Sequence, residues 1–282
     1  MKNQINDHDV LELTNKSLEK ILTKTNLEIP VMPTIIISNE PNMIDGFKSL
    51  SYYNEQKNEI GIAYGGNDIS LISREIYEEI FHYIRHIYCP TSYNEKIARA
   101  IEMKELRKEI CEINTRLIIE KETCVNNILK NFINKNFYSD MVDEFYGFLG
   151  QRFYDKNVKY NNFLNHSIDS LSTKSKNIQN MISAQIQIIC SIGQNLKQCK
   201  RERKQKELLD ILQKSIDKYY YLTKKGYDTE RLKKINQAHE IGYTHASNFD
   251  LDKINDWENF FSLPSFEVRK RFFCKNPNYE KL

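Results

Sequence analysis

The stretch REIYEEIFHYIRHIYCP, Arg74–Pro90, puts Glu78, Glu79, His82 and His86 among Ile76, Tyr77, Ile80, Phe81, Tyr83 and Ile84. Read as a helix, positions four apart share a face, so Glu78, His82 and His86 stand one above another and Glu79 sits three before His82. A helix so apolar on nearly every side is expected to be buried, and buried carboxylates need a partner or a cation. Two ligands one turn apart on a rigid helix can converge on one ion, and imidazole with carboxylate suits Zn2+, Fe2+ or Mn2+. The competing reading is a charged face whose acids are neutralised by Arg74 or Arg85. His82 with His86 also has two-histidine spacing, but no glutamate stands beside the first. His86 therefore reads as a helix-terminal histidine favoured by the dipole. The helix is expected to stop ahead of Pro90.

Outward from this stretch, composition sets the class. The 282 residues are 40% hydrophobic and 28% charged, a globular balance, and a net charge of +3 is too small by itself to imply a nucleic-acid partner. Nine glycines and six prolines favour long uninterrupted helices. The six cysteines, Cys89, Cys111, Cys124, Cys190, Cys199 and Cys274, include no C-x-x-C pair, which argues against thiolate zinc fingers and thioredoxin-like chemistry. MKNQINDHDVLEL lacks an apolar leader, and no run approaches the roughly 18 apolar residues of a membrane span. The expectation is a cytoplasmic chain with reduced thiols and no membrane partner.

Residues 8–25 carry Val10, Leu13, Leu18, Ile21 and Leu22 at helical spacing; MPTIIIS (32–38) reads as a strand. SLSYYNEQKNEIGIA (49–63) reads as a hairpin about NEQKN, and Asp68 or Ser70 can cap the helix that follows. Helices are expected over 94–121 and 140–154 (DMVDEFYGFLGQRFY). A helical tract over 166–225 follows, with the stripes Ile178, Ile182, Ile189, Ile192, Leu196 and Leu208, Leu212, Ile216, Tyr219, and Gly226 as its stop. Two or three helices close the chain. The expected class is mostly helical α+β, with a small antiparallel sheet on a helical core and a long helical hairpin inserted. Domain boundaries are expected at 1–160, 161–228 and 229–282.

A small sheet ending in EIGIA, then a loop and a helix with E-E-x-x-H, resembles the zincin metallopeptidases. Their helix reads H-E-x-x-H, two histidines binding zinc and the glutamate activating water. By that resemblance Glu79 stands in the place of the general base and His82 in that of the second histidine ligand. Glu78 takes the first ligand position, a departure that lowers the positive charge of the site and weakens activation of water. Gluzincin-type members draw a third ligand from a downstream helix, and Glu144 in VDEFYGFLG matches; Asp143 faces about 100° away. The resemblance covers about residues 30–155, with 94–130 inserted between the metal helices. It implies a zincin-like core in 1–160, a divalent metal, zinc first, and an extended peptide substrate added as a strand on the EIGIA hairpin. It also implies either an active peptidase or an inactive relative that keeps the metal. His239 and Tyr243, one turn apart in NQAHEIGYTHASNF, are candidate oxyanion donors, with a satisfied core histidine as the alternative. Gly242 suggests close packing there.

The competing function is a non-catalytic interaction protein whose hairpin binds a protein or nucleic acid. KQCKRERKQK (197–206) and KYYYLTKKGY (218–227) offer bases and rings, but Glu202 and Glu207 favour a solvated face, so nucleic acid is the lesser expectation. A di-iron bundle needs a second Glu-x-x-His beside Glu79-x-x-His82, and the sequence has none.

Overall fold

The computed structural model describes residues 5–44, 47–90, 126–158 and 163–273; the helix expected over 94–121 and Cys111, Cys124 and Cys274 lie outside them. The elements are α1 (Asp7–Thr25), β1 (Thr34–Ser38), β2 (Asn42–Ile44), β3 (Phe47–Ser49), β4 (Ser51–Asn54) and β5 (Glu59–Ala63). They continue with α2 (Ile69–Tyr88), α3 (Asn126–Tyr154), α4 (Phe163–Gln198), α5 (Glu202–Ser247), α6 (Trp257–Ser262) and α7 (Ser265–Val268). This is a mostly helical α+β chain. It divides into two compact units, one of Met1–Ile97, Tyr138–Asn161 and Ala238–Leu282, the other of Ala98–Phe137 and Asn162–Gln237.

In the first unit the sheet order is β1-β5-β4. The hairpin β4–β5 forms as expected, its turn held by Asn54 Oδ1 accepting from the N–H groups of Gln56 and Lys57, with Asn58 at φ 49. β1, however, runs parallel to β5, so the sheet is mixed and not purely antiparallel. The residues between Ser38 and Glu59 are long enough for the crossover a parallel pair requires, and they carry the separate β2–β3 ribbon on the way. β5 is central, and β4 is a sheet edge.

Asp68 caps α2, accepting from the Leu71 N–H at 2.8 Å, and the helix ends at Tyr88, two residues before Pro90. Its apolar residues are buried as the sequence demands: Ile76, Ile80, Phe81, Tyr83 and Ile84 are fully inaccessible. Around them pack Tyr146 and Phe153 of α3 and Trp257, Phe260 and Phe261 of α6, mostly ring edge against ring face. Arg85 is equally buried. Its guanidinium lies over the Tyr146 ring at 4.6 Å and donates to the Phe261 carbonyl, so it is committed to the aromatic core.

The second unit is built on the hairpin of α4 and the amino-terminal part of α5, where Ile178, Ile182 and Ile189 pack on Ile216, Tyr219 and Leu222. The helices break at Cys199–Arg201, and α5 runs straight through Gly226, the expected stop. A glycine costs about 1 kcal/mol in a helix interior. Here its bare Cα admits Ile178, whose Cγ2 lies 3.2 Å from where a β-carbon would stand, and hairpin packing outweighs the local penalty. Among the described residues no helix is long and apolar enough to cross a membrane, and Cys89, Cys190 and Cys199 carry thiols, not disulfides.

Two alanine substitutions test this packing. A β-carbon at Gly150 collides with the Tyr77 carbonyl of α2, whereas one at Gly193 of α4 meets nothing within 4 Å. Gly150→Ala is expected to lower the urea midpoint by the equivalent of about 1–3 kcal/mol. Gly193→Ala should leave it unchanged or raise it by up to about 1 kcal/mol.

Candidate metal centre

Within the first unit, α2 supplies Glu78 and His82, α3 supplies Glu144, and the last turns of α5 supply His239 and Tyr243. One ligand atom each from Glu78, His82 and Glu144 lies within 4.8 Å of the other two, a group that could hold a metal ion. Two bonds of about 2.1 Å span at most roughly 4.2 Å, so small side-chain rotations suffice to close the three donors on one ion.

Glycines permit the convergence. A β-carbon on Gly147, one turn after Glu144, falls well inside contact distance of His82 Nε2 and 3.1 Å from Glu78 Cγ. One on Gly242 of α5 comes within 2.7 Å of the Met141 carbonyl and 2.8 Å of Glu144 Cβ, the close packing that Gly242 suggested. α3 thus lies almost backbone to side chain against α2 on one side and α5 on the other, with Glu144 between.

Hydrogen bonds fix the ligands. Tyr243 donates its hydroxyl to Glu78 Oε1 at 2.5 Å, and Gln151 Nε2 donates to Glu78 Oε2. His239 Nε2 stands 2.9 Å from Glu144 Oε1. Each carboxylate oxygen offers two lone-pair directions, so these bonds leave room for a cation. Ser51 Oγ lies 2.7 Å from Glu79 Oε1 and 2.8 Å from Glu75 Oε2. One hydroxyl hydrogen serves only one acceptor, so the other carboxyl approaches as a neutral acid or through a shared cation.

The electrostatics follow from burial. Glu78 and Glu79 are 6% and 7% exposed, and among the described residues neither is paired with lysine or arginine. Burial, then the neighbouring charges of Glu75 and Glu144, pushes Glu78 up to about 8, against the bonds from Tyr243 and Gln151. Burial and the adjacent Glu78 raise Glu79 well above the carboxylate range. Burial also raises Glu75, and burial with the charge of Glu78 raises the Tyr243 phenol. Burial alone lowers His239, but the charge of Glu144 and the bond to it prevail and raise it.

All six sequence-selected residues, Glu78, Glu79, His82, Glu144, His239 and Tyr243, line one cleft of about 450 Å³. The Tyr243 and His239 donors meet the ligand carboxylates here, not an open oxyanion position. His86 turns to β4, with Nδ1 2.6 Å from the Tyr53 hydroxyl. Asp143 lines the cleft too, outside the converging trio. Sequence reasoning missed Gln151, Ser51, Glu75 and the role of Gly147. Gln151 was readable, being seven after Glu144 and four after Gly147 on the same helical face. Ser51 reaches the site through tertiary contact alone and left no local signal.

Comparison with protein-family models, curated proteins and solved structures gives no match.

Dialysis against Zn2+, Mn2+ or Fe2+ followed by metal analysis should leave about one ion per chain. Glu144→Ala should lose it. Gly147→Ala, which pushes on the His82 ring, is expected to weaken binding by about tenfold or more while the chain stays folded. Full-strength metal binding in both variants would contradict this site.

Proposed function

We propose that the chain is a zincin-like, metal-dependent peptidase acting on extended peptides, with zinc as its resident ion. The observation that carries the reading is the position of Glu79. It stands next to the converging donors on α2 and is hydrogen-bonded to Ser51 of the edge strand β4. A general base must lie within hydrogen-bond reach of the water it deprotonates, beside the scissile carbonyl of the bound substrate.

The donor set of two carboxylates and one imidazole fits zinc and also admits Mn2+ or Fe2+. The ion, when bound, supplies Lewis acidity toward a peptide carbonyl and acidifies water. Glu79, held by the Ser51 hydroxyl, takes a proton from the attacking water and returns it to the departing amine. Tyr243 and Gln151 hold Glu78, and His239 holds Glu144, so these three act as positioning residues. A substrate strand adds along β4, whose Ser51, Tyr52 and Tyr53 line the cleft. The expected docking edge is therefore the β4 side of the hairpin, since EIGIA itself, as β5, has neighbours on both sides.

Glu79→Gln should cut hydrolysis of quenched-fluorescence peptide libraries by about 10²–10⁴-fold with metal content retained. If the metal is lost instead, Glu79 is a ligand and the base assignment fails. Tyr243→Phe should weaken metal affinity by about 10–100-fold and leave turnover largely restored at saturating metal. An outer-shell group that instead served the reaction directly would keep its deficit at saturation.

A further inference from the structure

The charge of the chain is unevenly placed. Residues 163–237, the described helical hairpin of the second unit, hold fifteen Lys and Arg against seven Asp and Glu, a net +8, while the whole chain carries only +3. The remainder is therefore at −5. Two features concentrate the excess. The tip, KQCKRERKQK (197–206), has six bases and one acid, and Lys197, Lys200, Arg201, Arg203, Lys204 and Lys206 are all exposed. The ion pair it makes, Arg203 with Glu207 at 3.4 Å, sits on the surface, where such pairs are weak. The N-terminus of α5 opens at the same place, adding the positive end of a long helix.

The second feature is a face further along α5. Lys214, Lys218, Tyr221 and Lys225, at spacings of four, three and four, share one side and are all exposed. Tyr221 is 60% exposed with Lys225 Nζ 5.6 Å from its ring centroid, and Lys218 and Lys225 lie about 10 Å apart by helical rise. Lys214 is shared with Asp210 at 2.8 Å. An exposed ring among lysines, one of them over its face, offers a stacking platform flanked by phosphate-neutralising charges.

We propose that this hairpin binds single-stranded nucleic acid, the tip and the lysines taking the phosphates and Tyr221 stacking on a base. An anionic lipid surface fits less well. The tip carries no aliphatic or aromatic side chain to enter a bilayer, and the nearest exposed ones, Leu209 and Ile211, point to opposite sides of α5. The surface lies on the second unit and the metal centre on the first, and the proposal does not depend on what that centre does.

The test uses the full chain and a fluorescein-labelled 20-nucleotide oligothymidylate, followed by anisotropy from 50 to 200 mM KCl. Four or five phosphate contacts predict a slope of log affinity on log salt near −3. Lys200→Glu, Arg201→Glu, Arg203→Glu and Lys204→Glu together should lower affinity at least tenfold and flatten the slope. Tyr221→Ala should cost about tenfold with the slope unchanged, and Tyr221→Phe should bind as the parent does. A charge-matched set in the first unit, Lys16→Glu, Lys57→Glu, Lys253→Glu and Lys270→Glu, should leave binding intact. Circular dichroism melts confirm that each variant is folded. No binding at 50 mM KCl, equal loss in both charge-reversed sets, or binding to phosphatidylglycerol vesicles in place of the oligonucleotide would each overturn the proposal.

Discussion

The constraint behind the first unit is the burial of Glu78 and Glu79, adjacent carboxylates on a helix otherwise given over to aliphatic and aromatic side chains. Two such charges cannot both remain ionised in an apolar setting without compensation. Of the two arginines that could have served, Arg85 is turned into the core against Tyr146 and Phe261, and the charge of Arg74 acts on Glu75. What surrounds the pair is a set of neutral donors, Ser51, Gln151 and Tyr243, together with His82, His239 and two further carboxylates, Glu75 of α2 and Glu144 of α3. Such a set lowers the cost of the charges without cancelling them. A divalent ion held by Glu78, His82 and Glu144 would complete the neutralisation, and protonation is the other route.

The rest of the unit serves this convergence. Gly147 and Gly242 remove the side chains that would hold three helices apart, and the aromatic layer of α3 and α6 fixes α2 from the other side. The edge strand β4 enters the same cleft through Ser51. A site assembled from rigid helices and one strand keeps its donors in place more firmly than loops would.

Much of this was legible in the chain. The step of four from Glu78 to His82, the apolar surroundings and the capping Asp68 gave α2, and the glycine-flanked Glu144 gave its partner, because all are consequences of helical periodicity. The hairpin of β4 and β5 was legible from alternation and a polar turn. The parallel placement of β1 was not, since the strand sequence is the same whichever way its neighbour runs. The hairpin is expected from its two apolar stripes, but the exact break at Cys199–Arg201 lies in a charged run with no glycine or proline to mark it, while Gly226, expected as a stop, is a packing position. Ser51 and the orientation of His86 depend on which strand faces which helix, and no local pattern carries that.

In the proposed centre, three side chains from α2 and α3 grip one cation. Crystals grown with zinc and measured at its absorption edge address this directly. A single strong anomalous peak is expected about 2.0–2.2 Å from an oxygen of Glu78, a nitrogen of His82 and an oxygen of Glu144. A cleft without such a peak, with the carboxyls bonded only to one another and to their neutral donors, would contradict it.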